Sequence, residues 1–172
     1  MASLSRSRAL ELLDECPIEV KEHSLAVSRK ALELGARIQG AGHQVDMDFL
    51  EKAALLHDLG RSRTHGIKHG LEGAEILSQH PRYASVCENH VGGGITQPEA
   101  ASLGLPEKDF LPATLEEKII CIADKLTRGT RYVGIEEAVN EFKKKLGERH
   151  PTIGRIRKLF DELNSLAGGS LH

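Results

Sequence analysis

Apolar side chains recur at helical spacing along most of this 172-residue chain, and this periodicity limits the fold more than any other sequence feature. Residues 18–40 show it well, with Val20, Val27, Ala31 and Leu34 on one side of a helix. No segment shows a clear strand pattern. The aromatic fraction of 3%, with no Trp, leaves the core to aliphatic side chains and favours close helix packing. We therefore predict an all-α protein, a compact bundle of about seven or eight helices.

Breaks in the periodicity set the predicted helix boundaries. The predicted helices cover 4–15, 18–40, 45–58, 66–80, 82–88, 114–128, 135–150 and 151–167. Asp46 or Asp48 caps the third helix, and Thr114 with Glu117 forms a capping box. Residues 91–114 contain three consecutive glycines and three prolines, which predicts a lid, a binding loop or a flexible connection.

Length and composition bound the class of protein. We expect one domain over 1–172, with a core at 18–130 and C-terminal helices at 135–167 packed on it. The net charge of −2 offers no overall basic field to nucleic acid or an anionic membrane. Three widely spaced cysteines form no CxxC motif, and no apolar run approaches the ~18 residues of a membrane span. A soluble, cytoplasmic protein is expected.

Acid and imidazole groups stand where helix packing would place apolar side chains. They are His23, the doublet His57-Asp58, and Asp124 within the apolar run IICIADKL. A buried carboxylate must pair, hydrogen-bond or bind a metal, and two converging carboxylates favour a cation between them. Nitrogen and oxygen ligands suit Mn²⁺, Fe²⁺, Co²⁺, Ni²⁺ or Zn²⁺. The alternative for the doublet is a local hydrogen-bonded pair at a helix end.

These residues resemble the H…HD…D signature of the HD-domain superfamily of metal-dependent phosphohydrolases. The order and approximate spacing match, and ALLHDLGR and IICIADKL are similar to the two core motifs of that family. The resemblance covers about residues 18–130. It implies a helical bundle, as the periodicity does independently, and it is typical of a stand-alone HD or HDIG-type protein.

The resemblance also implies a ligand set. His23, His57, Asp58 and Asp124 would bind a first divalent ion, with Mg²⁺ added to the candidate metals. Some members bind a second ion through two further histidines, and His69 and His90 occupy comparable positions here. Asp58 would then bridge the two ions. The alternatives are a surface or supporting role for His69 and a capping role for His90.

The implied reaction is hydrolysis of a nucleotide or another small phosphate ester by a metal-bound hydroxide. Asp58, Arg61 and Lys125 are the expected catalytic residues, and Arg61 and Lys125 would contact the phosphate. His65 either touches substrate or has no role. Arg61 departs from the family pattern, in which Lys is common.

Two other functions stay open at the level of sequence. One is an HD-type nuclease or phosphodiesterase acting on RNA or single-stranded DNA, although the net charge of −2 favours a small substrate. The other is a regulatory module that binds a nucleotide without turnover. No HHE doublet or GYP triplet follows, so cyclic-dinucleotide phosphodiesterases of the HD-GYP type are poor templates.

Overall fold

The computed structural model describes residues 4–171, and this range forms an all-α bundle with one small hairpin. The helices are α1 Arg6–Leu13, α2 Ile18–Gly40, α3 Met47–Leu56, α4 His69–Ile76, α5 Pro81–Asn89, α6 Gln97–Ser102, α7 Leu115–Lys125, α8 Ile135–Leu146 and α9 Pro151–Leu166. A 3₁₀ turn, Leu59–Ser62, follows α3. The predicted all-α class is confirmed. Residues 1–3 and 172, the outermost parts of the predicted domain, lie outside the described residues.

The helices share a continuous aliphatic core. In it α2 packs against α3 and α7, and α9 packs against α7 and α8. The largest fully buried side chains are all Leu or Ile, as the low aromatic content requires. These branched side chains interdigitate closely, so the few polar groups among them need defined partners.

The end of α3 places the His57-Asp58 doublet inside the bundle. Asp46 caps the start of this helix, and its side chain accepts the Phe49 backbone N–H at 3.0 Å. The α-helical part ends at Leu56, and the chain then enters the 3₁₀ turn. The doublet therefore sits at a change of direction, with both side chains buried.

Residues 91–114, predicted to be a lid, a binding loop or a flexible connection, contain short ordered elements. Ile95 and Phe110 pair as an antiparallel bridge, with N–H···O distances of 2.8 and 2.7 Å. The helix α6 lies between them, and Glu99 accepts the Thr96 backbone N–H as in a capping box. A small apolar cluster holds the segment together, formed by Ile95, Ala100, Leu105 and Phe110.

A hairpin of two strands, each two residues long, follows α7 and was not predicted from the sequence. Its strands are β1 Thr127–Arg128 and β2 Arg131–Tyr132, paired antiparallel. Gly129 begins the turn with a φ of +57°, a conformation that favours glycine. Among the helices between residues 4 and 171, none is long and apolar enough to cross a bilayer.

Candidate metal centre

Four imidazoles and two carboxylates meet where α2, α3, α4, α5 and α7 converge. They are the six residues singled out in the sequence, His23, His57, Asp58, His69, His90 and Asp124. Their ligand atoms fall into overlapping groups in which all atoms lie within 4.8 Å of one another. The structure thus brings together every residue of both predicted ligand sets, and their assignment as metal ligands stays a prediction.

The first side of the centre combines α2, α3 and α7. His23 Nε2 lies 2.9 Å from Asp124 Oδ1, and His57 Nε2 lies 3.4 Å from the same oxygen. His57 Nε2 is also 3.7 Å from Asp58 Oδ2. His57 is fully buried, and its Nε2 has no hydrogen-bond partner within residues 4–171. An unpaired buried nitrogen between two carboxylates is well placed for a cation.

The second side adds α4 and α5. His69 Nε2 and His90 Nε2 lie 3.2 and 3.1 Å from Asp58 Oδ1. The two nitrogens are 3.1 Å apart. One oxygen of Asp58 therefore faces this histidine pair, while the other faces His57. This is the arrangement expected of a carboxylate shared between two ions.

Backbone carbonyls orient all four imidazoles. His57, His69 and His90 each donate from Nδ1 to the carbonyl three residues earlier, at 2.7, 2.9 and 2.8 Å. His23 Nδ1 donates to the Gly129 carbonyl at 2.8 Å. A carbonyl can only accept, so the hydrogen of each neutral ring is on Nδ1 and the lone pair is on Nε2. Metal-binding histidines are commonly oriented in this way.

If both rings were neutral, the Nε2 atoms of His69 and His90 and the Oδ1 atom of Asp58 would meet on the second side without a hydrogen between them. Burial, together with the neighbouring His57 and His69, lowers the pKa of His90 to about 4 against the opposing effect of Asp58. His90 is thus neutral at pH 7. A proton or a metal ion among these three atoms removes the repulsion that their lone pairs would otherwise have.

The carboxylates keep their negative charge. Burial would raise the pKa of Asp58, but His57, His69 and His90 outweigh it and hold that pKa well below its ordinary value. Burial likewise opposes ionisation of Asp124, and adjacent Lys125 leads the groups that lower its pKa. Two ionised carboxylates and four imidazoles make a strongly cation-attracting site.

The raised pKa of His23 reflects the same attraction of positive charge to the carboxylates of the centre. Burial alone would lower the pKa of His23, but the hydrogen bond and the charge of Asp124 raise it above 6.5. A proton on Nε2 would therefore lie against Asp124, where an ion would otherwise bind. Proton and metal compete for this nitrogen, so metal binding is expected to weaken on acidification.

The cysteines lie near the centre but are not suited to bind metal. Burial raises the pKa of Cys16 and of Cys121 to about 11, and it raises the pKa of Cys87 as well. Each thiol lies against a backbone carbonyl, and none of the three cysteines forms a disulfide. The available ligands are therefore nitrogen and oxygen atoms, which fits the divalent ions predicted from the sequence.

Close backbone contacts through glycine hold α4 and α5 in place. A Cβ on Gly60 would lie 1.8 Å from the His69 carbonyl oxygen, and one on Gly70 would lie 2.7 Å from the Cys87 carbonyl oxygen. These glycines let α4 approach the 3₁₀ turn and α5 closely enough to bring His69 and His90 to Asp58. The sequence contained these glycines, but not the contacts that require them.

Arg61 and Lys125 both contact the carboxylates of the centre. Arg61 Nε donates to Asp58 Oδ2 at 2.8 Å, and its Nη1 donates to the His65 carbonyl at 3.3 Å. Lys125 Nζ donates to Asp124 Oδ2 at 2.5 Å and to the His90 carbonyl at 3.0 Å. Each therefore positions a proposed ligand, and their contact with substrate stays a prediction.

A cleft of about 350 Å³ opens beside the second side of the centre. His69, His90 and Asp124 line it together with four cationic side chains, those of Arg61, Lys125, Arg128 and Lys145. Arg128 is paired with Glu137 and Glu141, whereas Lys145 is exposed and has no ion-pair partner among the described residues. We call this space the phosphate cleft. Lys145 was not predicted, because its place in the chain, within a run of lysines, resembles an ordinary solvated helix face.

A second opening lies beside the first side of the centre, at His23. Pro17, His65 and Arg61 line it, along with Asp58. The ring of His65 makes no hydrogen bond within residues 4–171, so its predicted contact with substrate is untested. The role of Gly129 in orienting His23 was missed because it depends on the unpredicted hairpin.

Comparison with known proteins identifies relatives of the chain. The family profile described as HD domain matches residues 20–129. An uncharacterized protein of Methanocaldococcus jannaschii is 50% identical over 163 residues, covering 92% of this chain and 96% of that protein. The HD domain of the Listeria monocytogenes phosphodiesterase PgpH has a similar fold, with a TM-score of 0.53, 18% identity and coverage of 98% of this chain and 100% of that one.

Two further relatives are longer proteins with RNA-related names. A tRNA (cytidine(56)-2'-O)-methyltransferase of Picrophilus torridus is 40% identical over 73% of this chain, which corresponds to 37% of the methyltransferase. Ribonuclease Y of Protochlamydia amoebophila is 29% identical over 73% of this chain and 22% of the nuclease. The similarity to both is thus confined to a minor part of the larger protein.

Proposed function

The chain belongs to the HD domain family, and from this membership and the geometry of its centre we propose that it is a divalent-metal-dependent phosphohydrolase acting on a nucleotide or another small phosphate ester. The observation that carries the proposal is the meeting of two imidazole nitrogens at one oxygen of Asp58. Two imidazole Nε2 atoms lie 3.1 Å apart and within 3.2 Å of one carboxylate oxygen.

The proposed ligands would divide between two ions. His23, His57, Asp58 and Asp124 would hold the first ion, and Asp58, His69 and His90 would hold the second. An ion bound there would lower the pKa of a coordinated water and neutralise charge on the phosphoryl oxygens. The carbonyl bonds to Nδ1 keep each Nε2 lone pair directed at the centre, so the site needs little rearrangement to bind metal.

Arg61 supplies charge toward the substrate. Two of its nitrogens are engaged, Nε by Asp58 and Nη1 by the His65 carbonyl, and Nη2 has no hydrogen-bond partner within residues 4–171. The side chain is 30% exposed and lines the openings on both sides of the centre. Its planar guanidinium fits phosphate oxygens, and its anchoring to Asp58 fixes where the charge lies.

Lys125 acts on the electrostatics of the centre. Its Nζ is held between Asp124 and the His90 carbonyl, and the side chain is only 5% exposed. Burial opposes its charge, but Asp124 leads the groups that raise the pKa of Lys125, so it stays protonated. This buried positive charge stabilises negative charge that develops on a phosphate in the cleft.

The phosphate cleft suits a small substrate. Its volume is about 350 Å³, near the lower end of the range typical of small-molecule sites. The acidic side chains of Asp124 and Glu141 line it beside the cations, and the net charge of the chain is −2. Tight binding of a long polyanion would require many more cationic contacts than this.

Metal analysis followed by hydrolysis assays tests the proposal. The purified protein is expected to contain a divalent metal and to hydrolyse members of a phosphomonoester and phosphodiester panel with Mn²⁺, Co²⁺, Ni²⁺ or Mg²⁺. His57→Ala and Asp58→Ala should lose metal and lower kcat/KM by more than about 100-fold. His43→Ala and Asp161→Ala, at exposed positions away from the centre, are matched controls that should change neither.

The outcomes separate the candidate functions. Unchanged metal content in His57→Ala and Asp58→Ala would contradict the assignment of the centre. Bound metal with no turnover of any phosphate ester would instead favour a regulatory module that binds nucleotide without hydrolysing it.

A phosphodiesterase acting on RNA is the second candidate. The similarity to segments of a tRNA methyltransferase and of ribonuclease Y favours it. It predicts that kcat/KM rises with oligonucleotide length. It also predicts a steep fall of kcat/KM between 50 and 200 mM salt, because proteins with many phosphate contacts lose about 10³-fold in affinity over this range. A rate independent of length and only weakly dependent on salt would exclude it.

A further inference from the structure

A cavity of about 290 Å³ lies next to the phosphate cleft and is lined mainly by apolar side chains. They come from the loop before α4, the glycine segment, α6 and α8, and they are Ile67, Val91, Ile95, Leu103, Phe142 and Leu146. We call this space the apolar cavity. Phe142 and Leu146 lie beyond residues 20–129, where the HD domain profile matches, so the cavity is not a feature of the matched segment alone.

Exposed apolar side chains concentrate at this cavity. Five large hydrophobic side chains are exposed among the described residues, and three of them line it. Ile67, Leu103 and Leu146 are 41%, 47% and 45% exposed. Single exposed apolar residues are ordinary, but three that converge on one concave surface indicate a site that an apolar group covers.

The apolar cavity and the phosphate cleft adjoin each other. Both are lined by Val91, Gly92 and Phe142, and Val91 directly follows the proposed ligand His90. Gly92 has a φ of +58° and carries no side chain, so only backbone separates the two spaces at that point. A ligand whose phosphate occupies the cleft would reach the cavity by passing over this backbone.

The polar groups of the cavity leave donors free at two residues, Arg155 Nε and His150 Nε2. Arg155 is engaged by Glu99 at 2.8 and 3.0 Å and by the Gly94 carbonyl at 3.0 Å. His150 Nδ1 accepts the Thr152 backbone N–H at 3.3 Å, so its neutral ring carries hydrogen on Nε2. That Nε2–H has no partner within residues 4–171 and can donate to an acceptor at the edge of a ligand.

We propose that the apolar cavity binds a planar aromatic ring of the substrate, as in a nucleoside monophosphate. This inference rests on the proposed function and specifies the substrate class. The ring lies between Phe142 and the aliphatic side chains, His150 donates to an acceptor on its edge, and the phosphate extends past Gly92 to the cleft. An aliphatic sugar phosphate occupies the phosphate cleft but leaves the apolar cavity filled with water.

Equilibrium binding tests this with ligands that cannot be hydrolysed. The probes are the phosphonate analogues of adenosine 5'-monophosphate and ribose 5-phosphate, in which CH₂ replaces the ester oxygen. They share phosphonate and sugar and differ only in the base. Calorimetry on the metal-loaded protein should give a Kd about 10- to 100-fold lower for the adenosine analogue, from burial of the base.

The substitutions are made at exposed positions, so that they do not disturb folding. The double variant Leu103→Gln/Leu146→Gln should weaken binding of the adenosine analogue about tenfold and leave the ribose analogue unchanged. Ile18→Gln, which alters another exposed apolar side chain away from the cavity, should change neither Kd. A melting curve for each variant confirms folding.

Different outcomes contradict the aromatic subsite and the proposed phosphohydrolase activity. Equal Kd values for the two analogues, or equal weakening of both by the double variant, overturns the aromatic subsite. Hydrolysis of ribose 5-phosphate itself then still supports the proposed phosphohydrolase. Conversely, base-dependent binding by a protein that hydrolyses no ester of the panel supports the subsite and overturns the proposed activity.

Discussion

At the scale of single residues, the buried ammonium group of Lys125 links the two sides of the metal centre. It contacts Asp124, a proposed ligand of the first ion, and the carbonyl of His90, a proposed ligand of the second. A charge this buried is stable only with its partners, and removing one member of a buried pair leaves the other uncompensated. Lys125 therefore contributes to stability as well as to the electrostatics of the centre.

We predict that Lys125→Met lowers the free energy of unfolding of the metal-free protein by about 3–5 kcal/mol. The methionine fills similar space but leaves Asp124 and the His90 carbonyl without their donor. Urea denaturation at pH 7 measures the change. Lys118→Met removes a more exposed pair with Glu162 and should cost less than about 1 kcal/mol. Equal losses in the two variants would contradict the structural role of Lys125.

At the scale of elements, the contact between the 3₁₀ turn and α4 determines whether the second ligand set exists. It relies on the absence of a side chain at Gly60, since a Cβ there would overlap the His69 carbonyl oxygen and approach the Gly73 backbone nitrogen to 2.5 Å. Neither backbone atom can move without moving α4. The position of His69 is thus coupled to one glycine nine residues before it.

Gly60→Ala is predicted to destabilise the protein by about 2–3 kcal/mol, because the added methyl overpacks a backbone contact. It should also lower the metal content, since displacement of α4 moves His69 away from Asp58. Denaturation and metal analysis measure the two effects. Gly154→Ala is the matched control: its Cβ would meet nothing within 4 Å, and at the exposed fourth position of α9 it should stabilise by up to about 0.5–1 kcal/mol. A Gly60→Ala protein with full metal content would contradict the coupling.

The start of α6 provides a test by pH. Burial raises the pKa of Glu99, but the Thr96 backbone N–H and Arg155 outweigh it and lower that pKa below 4.5. A group with a lowered folded pKa stabilises the fold above its unfolded pKa, and this stability is lost as pH falls through the folded pKa. Glu99→Gln keeps a capping side chain but loses the charge facing Arg155.

We therefore expect Glu99→Gln to cost about 1–2 kcal/mol at pH 7. The difference from the wild type should shrink once the pH falls below 4.5 and disappear when Glu99 is protonated. Urea denaturation across this pH range measures it. Glu107→Gln, at an exposed position nearby, should show no difference at any pH. A cost for Glu99→Gln that does not vary with pH would assign the effect to packing instead.

The elements differ in how far the sequence could predict them. The bounds of α2 were correct because Pro17 precedes it and Gly40 ends it. The six-residue α6 was missed: it is too short for helical periodicity, although Thr96 and Glu99 form the spacing of a capping box. The hairpin was missed because two-residue strands show no alternation.

The same limit applies to the candidate centre. His23 and Asp124 could be found because each interrupts an apolar helical run. The carbonyl partners of the imidazoles could not, since they depend on where helices end and, for His23, on the turn at Gly129. Convergence of His69 with His90 likewise depends on glycine contacts between helices that are distant in sequence. No local pattern encodes such contacts.

At the scale of the whole molecule, the candidate ligands tie five helices together. They lie on or directly after α2, α3, α4, α5 and α7, which together form most of the core. An ion that binds the folded centre and not the unfolded chain stabilises the whole bundle by mass action. The contribution of metal to stability is thus distributed over the molecule.

Chelation is therefore predicted to lower the Tm of the metal-loaded protein. At a free metal concentration of 100 times the Kd, the stabilisation is about 2.7 kcal/mol, which corresponds to about 5–10 °C for a chain of this size. Calorimetry before and after removal of metal with EDTA, and after its return, measures the shift. Asp58→Ala should melt at the same temperature with and without metal, and a metal-dependent shift in that variant would place the stabilising ion elsewhere.

The sharing of Asp58 by two ligand groups has an electrokinetic consequence. The chain has a formal net charge of −2, so one divalent ion makes the molecule neutral and two reverse its sign to +2. The number of bound ions thus decides in which direction the protein migrates in a native gel at pH 7. It also decides whether an anionic substrate approaches a repelling or an attracting particle, so that filling the second position assists the encounter as well as the chemistry.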